Sequence, residues 1–145
     1  MEIVHAKCQD LPALTELALK LWPAHAAKEL EADLAEIMAK PDAAFFLACE
    51  EGMALGFAQC QLRHDYVEGT EGAPVGYLEG IFVADTHRHL GIAKTLLAAC
   101  EDWAKARGCE EFASDCELDN TESHRFHLNV GFREANRIIC FVKKL

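Results

Sequence analysis

The stretch Tyr77-Leu78-Glu79-Gly80-Ile81-Phe82-Val83-Ala84-Asp85-Thr86-His87-Arg88-His89-Leu90-Gly91-Ile92-Ala93 decides how the chain folds. Tyr77 to Val83 are apolar apart from Glu79 and Gly80, and read as a central strand. From Ile92 the period changes. Ile92, Ala93, Leu96, Leu97, Cys100, Trp103 and Ala104 recur at spacings of three and four, which predicts a helix running to Arg107. Between strand and helix, Arg88-His89-Leu90-Gly91-Ile92-Ala93 fits the pattern Arg/Gln-x-x-Gly-x-Gly/Ala. Small residues at Gly91 and Ala93 let a diphosphate approach the backbone, and the unpaired N–H groups of the first helical turn can hold it at the positive end of the helix dipole. Arg88 adds a charge at the mouth. An ordinary strand-to-helix connection containing a glycine is the competing reading, and the hexapeptide alone leaves both open.

Toward the N-terminus, Ile3 to Lys7 reads as a first strand ended by Gln9-Asp10, with Asp10 the N-cap of a helix through Leu11, Leu14, Leu17, Ala18 and Leu21. Pro23 stops that helix. A second, His25 to Lys40, sets Leu30, Leu34, Ile37 and Met38 on one face and Glu29, Glu31, Asp33 and Glu36 largely elsewhere. Ala43 to Cys49 and Ala54 to Arg63 form an antiparallel pair around Glu50-Glu51-Gly52-Met53. Val67 to Pro74 has no periodicity and is a loop. After the central helix, Gly108 is a stop, Glu111 to Cys116 a strand, Asn120 the start of a short helix, and Phe132 with Ile138 to Val142 a last strand pair. The order β-α-α-β-β-β-α-β-α-β-β predicts a mixed sheet with helices on both faces.

The 145 residues suit one domain, 1–145, with half of them hydrophobic. A formal net charge of −10 excludes a general nucleic-acid binder, which needs clustered Lys and Arg to displace counterions. It favours a cationic partner, although an acidic surface that simply aids solubility explains the charge more readily. Apolar runs break within about 10 residues, short of the ~20 that span a bilayer, so no membrane association is expected. Met1 to Lys7 has no secretory signature, which places the chain in the cytoplasm. The seven cysteines are odd in number, without Cys-x-x-Cys, and most fall in apolar patterns, as reduced core residues would. His124 and His127 lie three apart but lack a third ligand nearby, so no metal is expected.

Two carboxylates stand out. Glu79 interrupts an apolar strand, where a charge is costly unless paired or facing a cavity, so it is either half of a structural salt bridge or a functional group. Asp115 ends the buried-looking run Phe112-Ala113-Ser114-Asp115-Cys116. At the ends of neighbouring strands the two can bind ammonium groups, and either can accept a proton from an amine. No cysteine has a local His or basic partner at a strand-to-helix turn, which argues against a covalent cysteine intermediate.

The turn at Arg88–Ala93 resembles the pyrophosphate turn of the GNAT superfamily of acetyl-CoA-dependent N-acetyltransferases. The segment Asn120 to Phe132 is similar to that superfamily's Asn…Tyr…Gly-Phe block, with Asn120, Gly131 and Phe132 in register and His127 in the slot of the Tyr often assigned to protonate the CoA thiolate. Leu21-Trp22-Pro23, Arg63-His64-Asp65-Tyr66-Val67-Glu68-Gly69, Pro74-Val75, Leu78 to Val83 and Phe112 to Asp115 together resemble the bacterial aminoglycoside 6'-N-acetyltransferases. The resemblance implies an α/β (α+β mixed) fold with a mostly antiparallel central sheet whose fourth and fifth strands splay to admit the pantetheine arm.

It further implies acetyl-CoA as co-substrate, an aminoglycoside as the cationic partner, and a homodimer. Trp22, His25, Tyr66, Glu79, Asp115 and Asn136 would surround the drug, with Asp115 and Glu79 in catalytic roles. Asn136 stands where some relatives carry an acidic residue. Aromatic faces at Trp22 and Tyr66 suit sugar rings and cations, although core packing explains Trp22 as readily. The cofactor would lie against the backbone of Ile81, Phe82 and Val83, the turn Arg88, His89, Leu90, Gly91, Ile92, Ala93 and Lys94, and Asn120 and His127. Asn120 is equally readable as a helix N-cap. Acetylation of another polyamine or of a protein N-terminus, and a silent CoA- or drug-binding module, are the rival functions.

Overall fold

A computed structural model describes residues 1–145. Strands β1 (Glu2–His5), β2 (Ala43–Glu50), β3 (Met53–Arg63), β4 (Val75–Val83) and β5 (Phe112–Ser114) form one sheet in that order. Every pairing is antiparallel except β4 with β5. Helices α1 (Leu11–Leu21) and α2 (Ala27–Met38) precede β2, α3 (Ile92–Ala106) links β4 to β5, and α4 (Thr121–Asn129) follows β5. The mixed, mostly antiparallel sheet with helices on both faces therefore matches the sequence reading.

Strand alternation sorts the core into two layers. Phe45 and Leu47 pack with Leu14, Leu17, Leu30 and Leu34 of α1 and α2. Their neighbours Ala44, Phe46 and Ala48 turn to the other face, under Leu96, Leu97, Cys100 and Trp103 of α3. Burying side chains such as Leu96 and Leu97, at 0% and 2% exposure, contributes about 1.5–3 kcal/mol each. The β2–β3 turn closes on Glu51 and Gly52, both with positive φ (50° and 78°), the geometry of a tight hairpin. At Gly108, φ of 86° ends the chain's longest helix, α3, as its sequence position predicts.

Four details depart from the sequence reading. Asp10 precedes α1 but does not cap it; it ends a 3-10 turn at Cys8–Asp10, and its carboxylate accepts the Lys7 N–H at 2.8 Å. The strand expected over Glu111 to Cys116 shrinks to Phe112–Ser114, half-buried, with Asp115 and Cys116 exposed. Only Cys60, Cys100 and Cys109 are buried, whereas Cys8, Cys116 and Cys140 are exposed and Cys49 is half-buried. The last strand pair does not form: residues 133–145 make no backbone–backbone hydrogen bond. Ile138, Ile139, Phe141 and Val142 are 71%, 80%, 91% and 96% exposed, since an apolar strand needs an edge to pair with and this one meets none in its own chain.

Candidate active site

Where β4 meets its neighbours, the register breaks twice. Gln59 of β3 stands opposite Gly80 and Cys60 opposite Leu78, so Glu79 is the extra residue of a bulge. On the other side, β5 pairs with β4 only at Gly76/Phe112, Tyr77/Ala113 and Leu78/Ser114. Beyond Leu78 the strands part, and Glu79 to Val83 present an edge with no backbone partner on that side. This fork is the splay expected between the fourth and fifth strands.

At the fork, Glu79 and Asp115 join one network. Arg63 grips Glu79 with both arms, Nη2 at 2.8 Å and Nε at 3.1 Å from Oε1 and Nη2 at 3.1 Å from Oε2. The same guanidinium lies 3.4 Å from the centroid of the Tyr77 ring, and the Tyr77 hydroxyl donates to Asp115 Oδ2. Burial, then the Asp115 hydrogen bond, push the Tyr77 phenol far above its ordinary range, so it stays a donor. Glu79 is thus half of a salt bridge, one of the two readings its sequence position allowed, and it sits at the bulge beside the fork. Its two oxygens are occupied by Arg63, whereas Asp115 Oδ1 has no protein partner.

The turn after β4 is preshaped. His89 and Gly91 have φ of 62° and 83°, and Gly91 stands at the N-cap of α3 without a side-chain cap. A Cβ on Gly91 would meet nothing within 4 Å. The first-turn N–H groups of Ile92, Ala93 and Lys94 have no capping partner, which leaves them available to an anion. Leu90 projects outward at 69% exposure. Arg88 is less free than its sequence position suggests. Its Nε donates to Val83 O at 3.2 Å, and its arms pair with Asp85 at 3.1 Å and Glu122 at 3.4 Å. This ties the turn back to β4 and occupies one of the backbone groups expected to face the cofactor.

The last block brings α4 to the end of β5. Asn120 accepts the Ser123 N–H at 3.1 Å, so it is an N-cap. His127 Nε2 lies 2.7 Å from Ser114 Oγ, and its Nδ1 lies 2.6 Å from Ser123 O. The imidazole is flanked by Phe126 and Phe132 at centroid distances of 5.6 and 5.1 Å.

Among the other expected drug contacts, Trp22 is half-buried, packs edge-on to Phe57 at 5.9 Å, and covers Gly80, where a Cβ would come within 2.7 Å of its ring. Its core-packing reading is the one seen, immediately beside the bulge. Tyr66 is 77% exposed and His25 is exposed. Asn136 donates to Glu68 Oε1 at 3.1 Å, in the loop that follows Tyr66. Arg63, Tyr77 and Ser114 were not singled out in the sequence. The signal for Arg63 was a lone arginine ending a strand beside one that carries a lone glutamate. No group of three or more His, Cys, Asp or Glu side chains is arranged to hold a metal.

A divided sheet, an uncapped turn at the head of a helix and two carboxylates at the fork thus come together at one end of β4. Residues 11–132 match the Acetyltransferase (GNAT) family, and the chain belongs to that family of acetyl-CoA-dependent acyltransferases. More particularly, it is 43% identical over 128 residues, 88% of each chain, to aminoglycoside N(6')-acetyltransferase type 1 of Salmonella typhimurium. A solved structure of AAC(6')-Iy in complex with the bisubstrate analogue CoA-S-monomethyl-acetylneamine superposes with a TM-score of 0.95, at 40% identity, over 99% of this chain and 98% of that one. The aminoglycoside antibiotic 6'-N-acetyltransferase AAC(6')-IG from Acinetobacter haemolyticus gives 0.95 at 38% identity, over 100% and 99%.

Proposed function

We propose that this chain is an aminoglycoside 6'-N-acetyltransferase conferring antibiotic resistance. It moves the acetyl group of acetyl-CoA to the drug's 6'-amine by direct attack in a ternary complex. The observation that carries this reading is the carboxylate pair at the fork of β4 and β5, in a chain that shares over a third of its residues with enzymes of that name. A 6'-ammonium must lose a proton before it can attack a thioester. Asp115, with Oδ1 open, is the acceptor, directly or through water. Glu79, held by Arg63, supplies fixed negative charge for an ammonium. Trp22, His25, Tyr66 and Asn136 complete the drug wall.

Acetyl-CoA enters as co-substrate. Its diphosphate suits the turn from Arg88 through Lys94, and its pantetheine arm suits the open edge at Ile81 and Phe82, with Val83, Asn120 and His127 beside it. Residues 1–145 act as one cytoplasmic domain. The unpaired tail 133–145 and the free outer edge of β5 support a homodimer in which tails are exchanged between copies. Release of free thiol from acetyl-CoA, measured with kanamycin, spermidine and a peptide as acceptors, tests the function. Turnover confined to spermidine or the peptide sinks the drug reading, and turnover with none sinks the enzyme. Sedimentation of a chain lacking residues 138–145 tests the dimer, which should then dissociate.

A further inference from the structure

We propose that Arg63 is a resident counter-ion of the drug site: it keeps Glu79 paired when the bound aminoglycoside offers a hydroxyl there, and yields the carboxylate when the drug offers an ammonium. Arg63 thereby widens the range of drugs the site accepts. This deepens the aminoglycoside reading and rests on it. The chain has 24 acidic side chains against 14 Lys and Arg, yet the carboxylate at the bulge already holds a cation of its own. Arg63 is the last residue of β3, its backbone set opposite Val75, and the segment carrying Tyr66 begins just beyond it. The same guanidinium touches Glu79 and the Tyr77 ring, so the two side chains share one face of the sheet. Leu78 and Phe112 turn to the opposite face, beneath α3, while Trp22 of the α1 side covers Gly80.

Within the pair the cation is the outer member. The Arg63 side chain is 38% exposed and the Glu79 side chain 19%, so a solute coming from water meets the guanidinium first. Glu79 Oε1 accepts two N–H groups of Arg63, at 2.8 and 3.1 Å, and Oε2 accepts a third contact at 3.1 Å. With Oε1 filled, an ammonium takes full hold of Glu79 only by displacing Arg63. That exchange swaps one cation–carboxylate pair for another. Arg63 also has a second seat when it lets go, because its guanidinium already lies 3.4 Å from the centroid of the Tyr77 ring. An ammonium therefore gains little at this position. A hydroxyl at the same place leaves Arg63 where it is, so the half-buried carboxylate is never stranded without a partner. A bare carboxylate would discriminate steeply between the two, and Arg63 flattens that discrimination.

Two readouts test this in the full-length chain. The first is calorimetric binding of neamine and of the three analogues in which its 1-, 3- or 2'-amine is replaced by a hydroxyl, all of which keep the 6'-amine. Arg63→Met should widen the affinity gap between neamine and one analogue by about tenfold or more over wild type, tightening the first and weakening the second. Arg63→Lys, which keeps a cation, should leave all three gaps near their wild-type values. Unchanged gaps in Arg63→Met overturn the proposal. So does an equal weakening of all four ligands, which would make Arg63 a brace for Glu79 and nothing more. The second readout is the Arg63 Nε–H in nitrogen-15 spectra of the wild type. Bonded to Glu79, it should exchange slowly in the free protein, about tenfold faster with neamine bound, and slowly again with one of the three analogues. A signal still protected under saturating neamine overturns displacement. Should Arg63→Met not fold, these wild-type spectra decide. If neamine does not bind the wild type, the drug reading falls and takes the proposal with it; if it binds and the gaps do not move, Arg63 fails alone.

Discussion

Tyr77→Phe removes one oxygen and leaves the ring beneath Arg63, so it isolates the link between the two carboxylates. The Tyr77 hydroxyl donates to Asp115 Oδ2, and hydrogen bonds to charged groups contribute about 1.5–3 kcal/mol. Asp115 is exposed, so water re-solvates its carboxylate once the phenol is gone and the loss shrinks to about 1 kcal/mol. For a chain of this size that lowers Tm by about 3 °C. If Asp115 takes the substrate's proton, a loosened carboxylate also lowers kcat/KM for kanamycin about fivefold. The assay is a double-mutant cycle with Asp115→Asn, read both by urea unfolding and by thiol release. Asp115→Asn alone should lower kcat strongly, and Tyr77→Phe should cost almost nothing further on top of it. Strictly additive losses in kcat/KM would refute the idea that Tyr77 acts through Asp115.

Other expectations follow from neighbouring residues. Glu79→Gln should raise the drug's Michaelis constant by about tenfold with a smaller change in kcat, because it removes a fixed charge rather than the proton acceptor; the reverse split would exchange the roles of Glu79 and Asp115. Gly91→Val should raise the acetyl-CoA Michaelis constant at least tenfold if the turn holds the diphosphate: a φ of 83° costs a β-branched residue about 1–2 kcal/mol, and its side chain would enter the open space beside the turn. Unchanged cofactor affinity in folded protein would remove the turn from the site. Asn136→Asp loses the donor to Glu68 and sets two carboxylates against each other. Calorimetry should show tobramycin binding tightened by about 1 kcal/mol at low salt, with the gain vanishing at high salt. Equal affinities at both salts would mean that residue 136 does not face the drug.

The helices and the first four strands were legible because each carries an unbroken period. Leu14, Leu17 and Ala18, or Phe45 and Leu47 against Phe46 and Ala48, announce the face they bury. Glu79 was legible as an anomaly but not as a bulge, since a bulge is a relation between two strands and only the register of β3 against β4 reveals it. Arg63 escaped for the same reason: its partners Glu79 and Tyr77 are 16 and 14 positions away, brought close by that register. The Ser114–His127 contact joins a strand to a helix packed over it, a geometry that spacing does not encode. The C-terminal residues failed differently. Their alternation is a genuine strand signal, but it specifies a need for an edge without saying which chain supplies it.

The fork has a consequence for the enzyme between catalytic cycles. A sheet normally hides its backbone by continuing it, and here the fourth strand stops being continued halfway along, where its side chains become only half-buried. Past Leu78 its backbone has no strand partner on one side, where only Val83 O is taken, by Arg88. On the proposed reading, an acyl carrier laid along this edge behaves as a missing strand, and so becomes a piece of the architecture as well as a reagent. Amide hydrogens of Gly80 to Val83 should accordingly exchange faster in the ligand-free protein than those of β2 or β3, and slow sharply when CoA is added. On the proposed reading, the supply of acetyl-CoA sets how much of the protein has this seam covered, so the cofactor guards the fold as well as feeding the reaction.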